Sequence, residues 1–81
     1  MARYYFDWRD NEEFIEDDEG LDFADLGQVK AEAASALLDH ARDVFPGSDR
    51  RSLAIEVRDA LSRPVLKTIL ILEVQVVHRS T

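Results

Sequence analysis

Residues 25–45 read DLGQVKAEAASALLDHARDVF, and this segment carries the helical periodicity of the chain. Asp25 is a favourable N-cap residue, and Gln28, three positions later, completes the spacing of a capping box. Apolar residues recur at intervals of three and four, which is typical of an amphipathic helix. They are Leu26, Val29, Ala33, Ala34, Leu37, Leu38, Ala41, Val44 and Phe45. Because Pro46 cannot continue the hydrogen-bond ladder, the sequence predicts one helix over about residues 26–45.

The segment before the helix has the two-residue repeat of a β-strand. Tyr4, Phe6 and Trp8 fall on one face of this strand, and aromatic side chains favour a half-buried sheet surface. We therefore expect these three rings to face the helix as part of the core. Residues 10–11 are a turn signal, so residues 14–15 are predicted as a short return strand. The acidic, glycine-containing stretch that follows ends this first hairpin.

Two further strands are predicted after the helix. Leu53, Ile55 and Val57 alternate with other residues, as in a strand with one buried face, and residues 65–77 form the most β-prone stretch of the chain. The residues of the last strand that we expect to meet the helix are Leu66, Leu70, Leu72, Val74 and Val76. Residues 78–81 are expected to be a frayed tail. The order is ββαββ, which predicts a single α+β domain (residues 1–81) whose four-stranded, mainly antiparallel sheet carries the helix on one face.

Composition limits both the stability and the location of this domain. A chain of 81 residues buries only roughly 60–65% of the surface that it exposes when unfolded, and it has no cysteine for a disulfide or a thiolate metal site. Good packing or self-association must supply the missing stability. No apolar run approaches the roughly 20 residues of a membrane span, and the N-terminus has no signal-peptide pattern. We expect a cytoplasmic protein with no membrane partner.

The negative charge is concentrated in the first part of the chain. Residues 1–25 hold ten carboxylates and two arginines, whereas residues 26–81 hold seven acids and eight bases. An acidic molecule repels phosphates, so nucleic acid is not the partner we expect. The basic residues Arg50, Arg51, Arg58 and Arg63 nevertheless leave a nucleic-acid-linked regulator open as an alternative. The simpler interpretation is that these arginines pair with the acidic N-terminal segment.

No recognisable pattern indicates an enzyme. A calcium loop requires glycine at its sixth position, but loops starting at Asp10 and Asp17 have Ile15 and Asp22 there. His40 lies at the edge of the apolar helix face, where a packed or half-exposed histidine is expected. The three glycines are too scattered to form a phosphate-binding loop. We assign no catalytic residue, no cofactor-binding residue, no metal ligand and no cofactor, and we predict that the protein is not an enzyme.

Several short segments follow one another in a recognisable order. They are RYYFD (residues 3–7), DEGL (18–21), DL (25–26), AEA (31–33) and LAIEVRD (53–59). In this order they resemble a family of short bacterial proteins of unknown function, with an aromatic strand, an acidic loop ending in Glu-Gly, an Ala/Glu-rich helix and two strands joined by a Gly/Arg-Pro turn. Ser62 stands in that turn where glycine is common. The resemblance covers nearly the whole chain but implies no particular function.

The small sheet, acidic loop and Ala/Glu-rich helix are also similar to HicB-type antitoxins of bacterial toxin–antitoxin pairs. The chain departs from that family in two respects. It reads Ala-Asp-Leu-Gly at residues 24–27 in place of a Pro-Asp-Leu-Pro-Gly loop, and it has no C-terminal DNA-binding segment. The likeness implies an antitoxin-like regulator as a second alternative function.

The leading hypothesis is a small interaction or regulatory module that self-associates through its sheet. Ile69 and Ile71 point away from the helix in the predicted sheet, and exposed apolar clusters often mark an interface. The candidate interface residues are Tyr5, Ala54, Val65, Ile69 and Ile71. We predict a homodimer, formed either face to face over the outer sheet surface or edge to edge along residues 65–77. An unidentified protein partner is a further possibility.

Overall fold

A computed structural model describes residues 1–78, which form a five-stranded antiparallel sheet and one helix. The elements are β1 (Ala2–Asp10), β2 (Glu13–Ile15), β3 (Leu21–Phe23), α1 (Leu26–Val44), β4 (Arg50–Asp59) and β5 (Pro64–Glu73). The predicted α+β class, with one helix and an antiparallel sheet, is therefore confirmed. The sheet has one strand more than the four predicted, because β3 joins it. Of the predicted frayed tail, residues 79–81 lie outside the described part of the chain.

The strand order is β2-β1-β4-β5, and β3 pairs with β1 on the same edge as β2. The short strand β2 lies opposite the end of β1, where Trp8 pairs with Ile15, and β3 lies opposite its beginning, where Tyr4 pairs with Leu21. Both three-residue strands are too short to show a sequence period, and β2 was predicted only from the turn signal at residues 10–11, which places it directly after β1. The position of β3 depends on β1 and on the loop between β2 and β3.

The helix begins and ends where local chemistry requires. The Asp25 carboxylate accepts the N–H of Gln28 at 2.9 Å, and the Gln28 side chain in turn accepts the N–H of Ala24 at 3.1 Å. At the other end, the N–H of Phe45 donates to the carbonyl of Ala41 at 2.9 Å, directly before the proline. These contacts confirm the predicted N-cap and the predicted stop.

The core lies between the helix and the inner face of the sheet. Its buried residues are Phe6 from β1, Val29, Ala33, Leu37 and Ala41 from α1, and Leu53, Ile55 and Val57 from β4. Tyr4 and Trp8 pack against this cluster, which confirms that the aromatic face of β1 meets the helix. The predicted helix face was too wide, however, since Leu26, Ala34 and Leu38 are exposed. Successive helical residues are rotated by about 100°, so Leu37 points into the core while Leu38 lies at the rim of the helix–sheet interface, where it is exposed.

The last strand is shorter than predicted. It ends at Glu73, which pairs with Arg50, the first residue of β4. Beyond this pair no neighbouring strand continues, and the N–H of Val74 donates to the carbonyl of Asp49. Leu66 and Leu70 pack on the core as expected, but Val74 and Val76 are exposed and do not meet the helix. The strand stops because its partner stops, which the β-prone sequence of residues 74–77 does not reveal.

The adjacent leucines of the helix provide a matched test of the packing. Leu37 is 4% exposed and Leu38 is 53% exposed. Truncating a buried leucine removes its transfer free energy and leaves a cavity, so Leu37→Ala should lower the free energy of unfolding by about 2–5 kcal/mol. Leu38→Ala, with the same change in helix propensity, should lower it by less than about 1 kcal/mol.

Urea unfolding of both variants provides the measurement, at a protein concentration low enough that further dilution does not change the unfolding midpoint. Equal losses for the two substitutions would contradict the orientation of the helix.

Candidate functional site

The edge of the sheet at β5 is the first candidate site. One side of β5 pairs with β4 over its whole length, and the strand ends the sheet order. Within residues 1–78, no strand pairs with its other side. Alternate residues of this ten-residue strand therefore present unpaired backbone groups at the free edge, which can pair with another chain.

Apolar side chains flank this edge on the outer face of the sheet. Ile69 is 57% exposed and Ile71 is 54% exposed. Lys67 and Glu73 stand on the same face at either end of the two isoleucines. The segment thus has an apolar centre with one positive and one negative end.

A groove flanks the same edge on the helix side. It has a volume of about 540 Å³ and is lined by Leu38, Ala41, Phe45, Leu70 and Leu72, with Arg42 and Pro46 also contributing. The exposed Leu38 and the half-buried Phe45 form its wall on the helix, and Leu70 and Leu72 form its wall on β5. We call the free side of β5, the two isoleucines and this groove the β5 edge surface. The sequence placed Leu38 and Phe45 on the core face of the helix; Phe45 does pack against the core, whereas Leu38 is exposed, and that both line a groove was not predicted.

The five predicted interface residues do not form one patch. Ile69 and Ile71 belong to the β5 edge surface. Ala54 was expected to be exposed but is only 6% exposed, because Arg9 and Ile69 lie on either side of it in the sheet. Val65 is half-buried and packs against the core. Tyr5 lies at the other end of the outer face, with the guanidinium of Arg58 4.6 Å above its ring.

A row of charged residues crosses the outer face between Tyr5 and the isoleucines. Asp7 pairs with Glu56 across β1 and β4, and Glu56 pairs with Lys67 across β4 and β5. Lys67 Nζ lies 3.5 Å from a Glu56 carboxylate oxygen, and Arg9 Nε lies 2.6 Å from the same oxygen. The middle of the outer face is therefore an ion-pair network, and its apolar part is confined to β5.

At the edge of the sheet opposite β5, Asp17 lies in the gap between β2 and β3. Its carboxylate accepts the N–H of Phe6 at 3.0 Å, of Glu19 at 3.0 Å and of Gly20 at 3.2 Å. The bond to Glu19 is an Asx-turn, and aspartate followed by glycine three positions later is the sequence signal that predicts it. Gly20 has a φ of +72°, and a Cβ there would lie 2.9 Å from the carbonyl oxygen of Tyr4.

Arg58 fixes the same loop from the outer face. Its guanidinium donates to the buried carboxylate of Asp7 at 2.9 Å and to the carbonyl of Asp17 at 2.7 Å. Asp7 in turn accepts the N–H of Asp17 at 2.9 Å. The hydrogen bond with Asp7 raises the pKa of Arg58. Burial by itself raises the pKa of Asp17, but the three N–H groups and the Arg58 charge more than offset it, so this pKa is lowered.

His40 belongs to a third cluster, at the carboxyl end of the helix. Asp10 accepts two hydrogen bonds from Arg51, at 2.8 Å and 2.7 Å, and these lower the pKa of Asp10. Arg51 also donates to the carbonyl of Val44 at 3.2 Å, in the last turn of the helix. His40 Nε2 lies 3.6 Å from Asp10, and its ring meets the Trp8 ring at a centroid distance of 5.0 Å. His40 is half-exposed as predicted, and the cluster ties the helix end to the sheet.

Each of the four arginines of the predicted basic patch forms an ion pair. Arg51 and Arg58 pair with Asp10 and Asp7 of the acidic N-terminal segment, as the simpler interpretation predicted. Arg50 and Arg63 pair instead with Glu73 and Asp59, which the sequence did not indicate.

Residues 1–78 contain no group of three or more histidine, aspartate or glutamate side chains that could hold a metal ion. Over the same residues, no helix has the length and apolar content that crossing a membrane requires.

These features define a small α+β domain with one antiparallel sheet, one covering helix and one long open edge. The chain belongs to the family described as Domain of unknown function (DUF6894), whose model matches residues 3–71. The expected membership of a family of unknown function is thereby confirmed. No curated protein and no solved structure matches the chain. The family match does not bear on the likeness to HicB-type antitoxins or on a bacterial origin.

Substitution of Asp17 tests the closure of the loop. Asp17→Asn keeps the shape of the side chain but replaces one accepting oxygen with an NH₂ group, which leaves an N–H partner unsatisfied. We expect a loss of about 1–3 kcal/mol in the free energy of unfolding. The matched control is Asp18→Asn, which removes the same charge from an exposed neighbour and should change stability by no more than about 0.5 kcal/mol.

The contribution of Asp17 should also depend on pH. Because the folded state lowers the pKa of Asp17, this contribution is complete above the ordinary value of 3.8 and is lost as the pH falls through the lower, folded-state pKa. The stability difference between the wild type and Asp17→Asn should therefore be constant near neutral pH and should shrink in acid below pH 3.8. A difference that grows on acidification would contradict the assignment.

Proposed function

We propose that this domain is a small protein-interaction module that self-associates through the β5 edge surface. The single observation that carries the proposal is a ten-residue edge strand whose outer side is unpaired within residues 1–78 and which has apolar surface on both faces. Natural sheets protect such edges with charges, prolines, bulges or a covering element, because a bare edge pairs with other chains. Here Pro64 and the bulge near Val57 lie at one end of the strand, and the centre is left open.

The energetics favour association. Fully burying a large apolar side chain contributes about 1.5–3 kcal/mol, and contact between Ile69 and Ile71 of two copies would supply part of this for each side chain, before the cost of association is subtracted. A domain of this size has a small core and a thin stability margin. Binding that occurs only in the folded state stabilises that state by mass action. Self-association would thus supply stability that the isolated core cannot.

Pairing at the edge is better supported than packing face to face. A face-to-face dimer would have to cover Asp7, Glu56 and Lys67, which separate Tyr5 from the isoleucines. Burying such charges without new partners is costly. An edge-to-edge dimer leaves this network in solvent and uses the backbone groups that the sheet leaves unpaired.

The alternative of an antitoxin-like or nucleic-acid-linked regulator has less support. It depends on Arg50, Arg51, Arg58 and Arg63, and each of these is already engaged with a carboxylate. Contacts with phosphates would have to replace those ion pairs on a molecule with a net charge of −7. We therefore propose a protein partner, and specifically a second copy of this chain.

Sedimentation velocity at micromolar concentration tests the proposal. The wild type should run as a dimer of the 9.3 kDa chain, and the double variant Ile69→Glu with Ile71→Glu should run as a monomer. The control uses Ile15, which is as exposed as Ile71, at 54%, and lies on β2 at the opposite edge of the sheet. Ile15→Glu should leave the dimer unchanged.

A further variant separates the two geometries. Tyr5→Ala should leave an edge-to-edge dimer intact, whereas it would weaken a face-to-face dimer. A monomeric wild type at these concentrations would overturn the proposed function.

A further inference from the structure

We propose that two copies pair through antiparallel β5 strands in one register, with Leu70 on the two-fold axis. This inference rests on the proposed function and specifies how the second copy binds. In this register the numbers of two directly opposite residues add up to 140. Lys67 then faces Glu73 of the partner subunit, and Ile69 faces the partner's Ile71.

Charge complementarity selects this register. Two copies of one strand, related by a two-fold axis perpendicular to the sheet, keep their side chains on matching faces only when the axis passes through a residue pair. With Leu70 on the axis, both ends of the pairing carry a lysine opposite a glutamate, and the centre pairs the two exposed isoleucines. Opposite charges and β-branched residues at directly facing positions stabilise antiparallel strands.

The neighbouring registers lose this match. With Ile69 on the axis, Lys67 faces an isoleucine and Glu73 faces Val65. With Ile71 on the axis, Glu73 faces Ile69 and Lys67 faces Gln75. Each of these places a charge against an apolar side chain, so the register centred on Leu70 is the complementary one among them.

The apolar residues on the helix side of the sheet are also compatible with a two-fold axis at Leu70. The two Leu70 side chains lie opposite each other on the face that carries the helices, next to the groove lined by Leu38 and Phe45. Both helices lie on one face of the continuous sheet, and their two grooves adjoin across the axis. Leu70 and Leu72 of each copy would extend apolar surface toward the exposed groove residues of the other.

The ends of the strand also agree with this arrangement. Pairing between Lys67 and Glu73 covers seven residues of each β5 strand, so Pro64, which lacks an N–H donor, stays outside the central ladder. The exposed Val74 and Val76 then lie opposite Leu66 and Pro64 of the other copy. The partner strand thus extends alongside residues that β4 leaves without a neighbour.

Single cysteines read the register directly, because the chain contains no cysteine. Residues directly opposite in an antiparallel pair have Cα atoms about 4.5–5.5 Å apart, within the range of a disulfide, whereas diagonal neighbours lie about 7–8 Å apart. Under an added oxidant that removes two hydrogens per bond, a mixture of Ile69→Cys and Ile71→Cys should form the mixed disulfide dimer rapidly. Each variant alone should cross-link at least about tenfold more slowly. Faster cross-linking of Ile69→Cys alone, or of Ile71→Cys alone, would overturn the register.

Charge exchange provides an independent measurement. Lys67→Glu and Glu73→Lys should each weaken the homodimer by roughly tenfold, because each variant faces like charges at both ends of the pairing. Mixing the two variants restores opposite charges at both ends, so the mixture should form a heterodimer of near wild-type affinity. Each variant also loses one contact within its own chain, to Glu56 or Arg50, and this loss is the same alone and in the mixture. A mixture no tighter than its components would overturn the register.

The two failures are distinguishable. A wild type that stays monomeric in sedimentation overturns self-association and the register together. A wild type that dimerises, but whose cysteine and charge variants behave otherwise than described, overturns the register alone and leaves the proposed function standing.

Discussion

The Asp17 carboxylate accepts a backbone N–H of β1 where no strand is present to do so, and the positions of β2 and β3 depend on this contact. Between β2 and β3 the outer edge of β1 has no neighbouring strand, and the Asp17 carboxylate accepts the N–H of Phe6 there as well as those of Glu19 and Gly20. Asp7 and Arg58 hold the loop from the other side. This side of the sheet is therefore closed by two three-residue strands and a fixed acidic loop, which is a poor template for another chain.

Because the edge at β2 and β3 is closed, the edge at β5 is the one open to another chain in the described residues. A sheet of this kind has two edges, and β5 forms the long one, whose outer side no strand pairs with within residues 1–78. The charges of the molecule follow the same division. Ion pairs link β1 to β4 and Glu16 to Arg58, while β5 keeps an apolar centre between Lys67 and Glu73. Association over the middle of the outer face would have to cover these charges, whereas at the β5 edge surface exposed apolar side chains lie beside a long edge that no strand pairs with in the described residues.

Association and stability are coupled in a domain this small. Within residues 1–78 the core cluster has eight buried residues, four of them from the helix, and two of those four are alanine. The alanines allow a close approach of helix and sheet but bury little apolar area each. A second copy bound at the β5 edge surface would add buried area next to Leu70 and Phe45, at the rim of this core. The apparent stability of the domain should then rise with protein concentration.

The sequence by itself determined the helix and its bounds, because an N-cap, a 3.6-residue period and a proline are local signals. It also determined the three longer strands, the inward-facing aromatic residues of β1 and the candidate residues Ile69 and Ile71, because a two-residue period assigns faces. Tertiary structure alone decided the rest. The strand β3 exists because β1 and the Asp17 loop position it, Ala54 is buried because of its cross-strand neighbours, and residues 74–77 leave the sheet because β4 begins at Arg50. Leu37 and Leu38 both fit the apolar helix pattern, and the way the helix packs on the sheet decides that Leu37 is buried and Leu38 lines a groove. Each of these depends on residues distant in sequence, which no local pattern records.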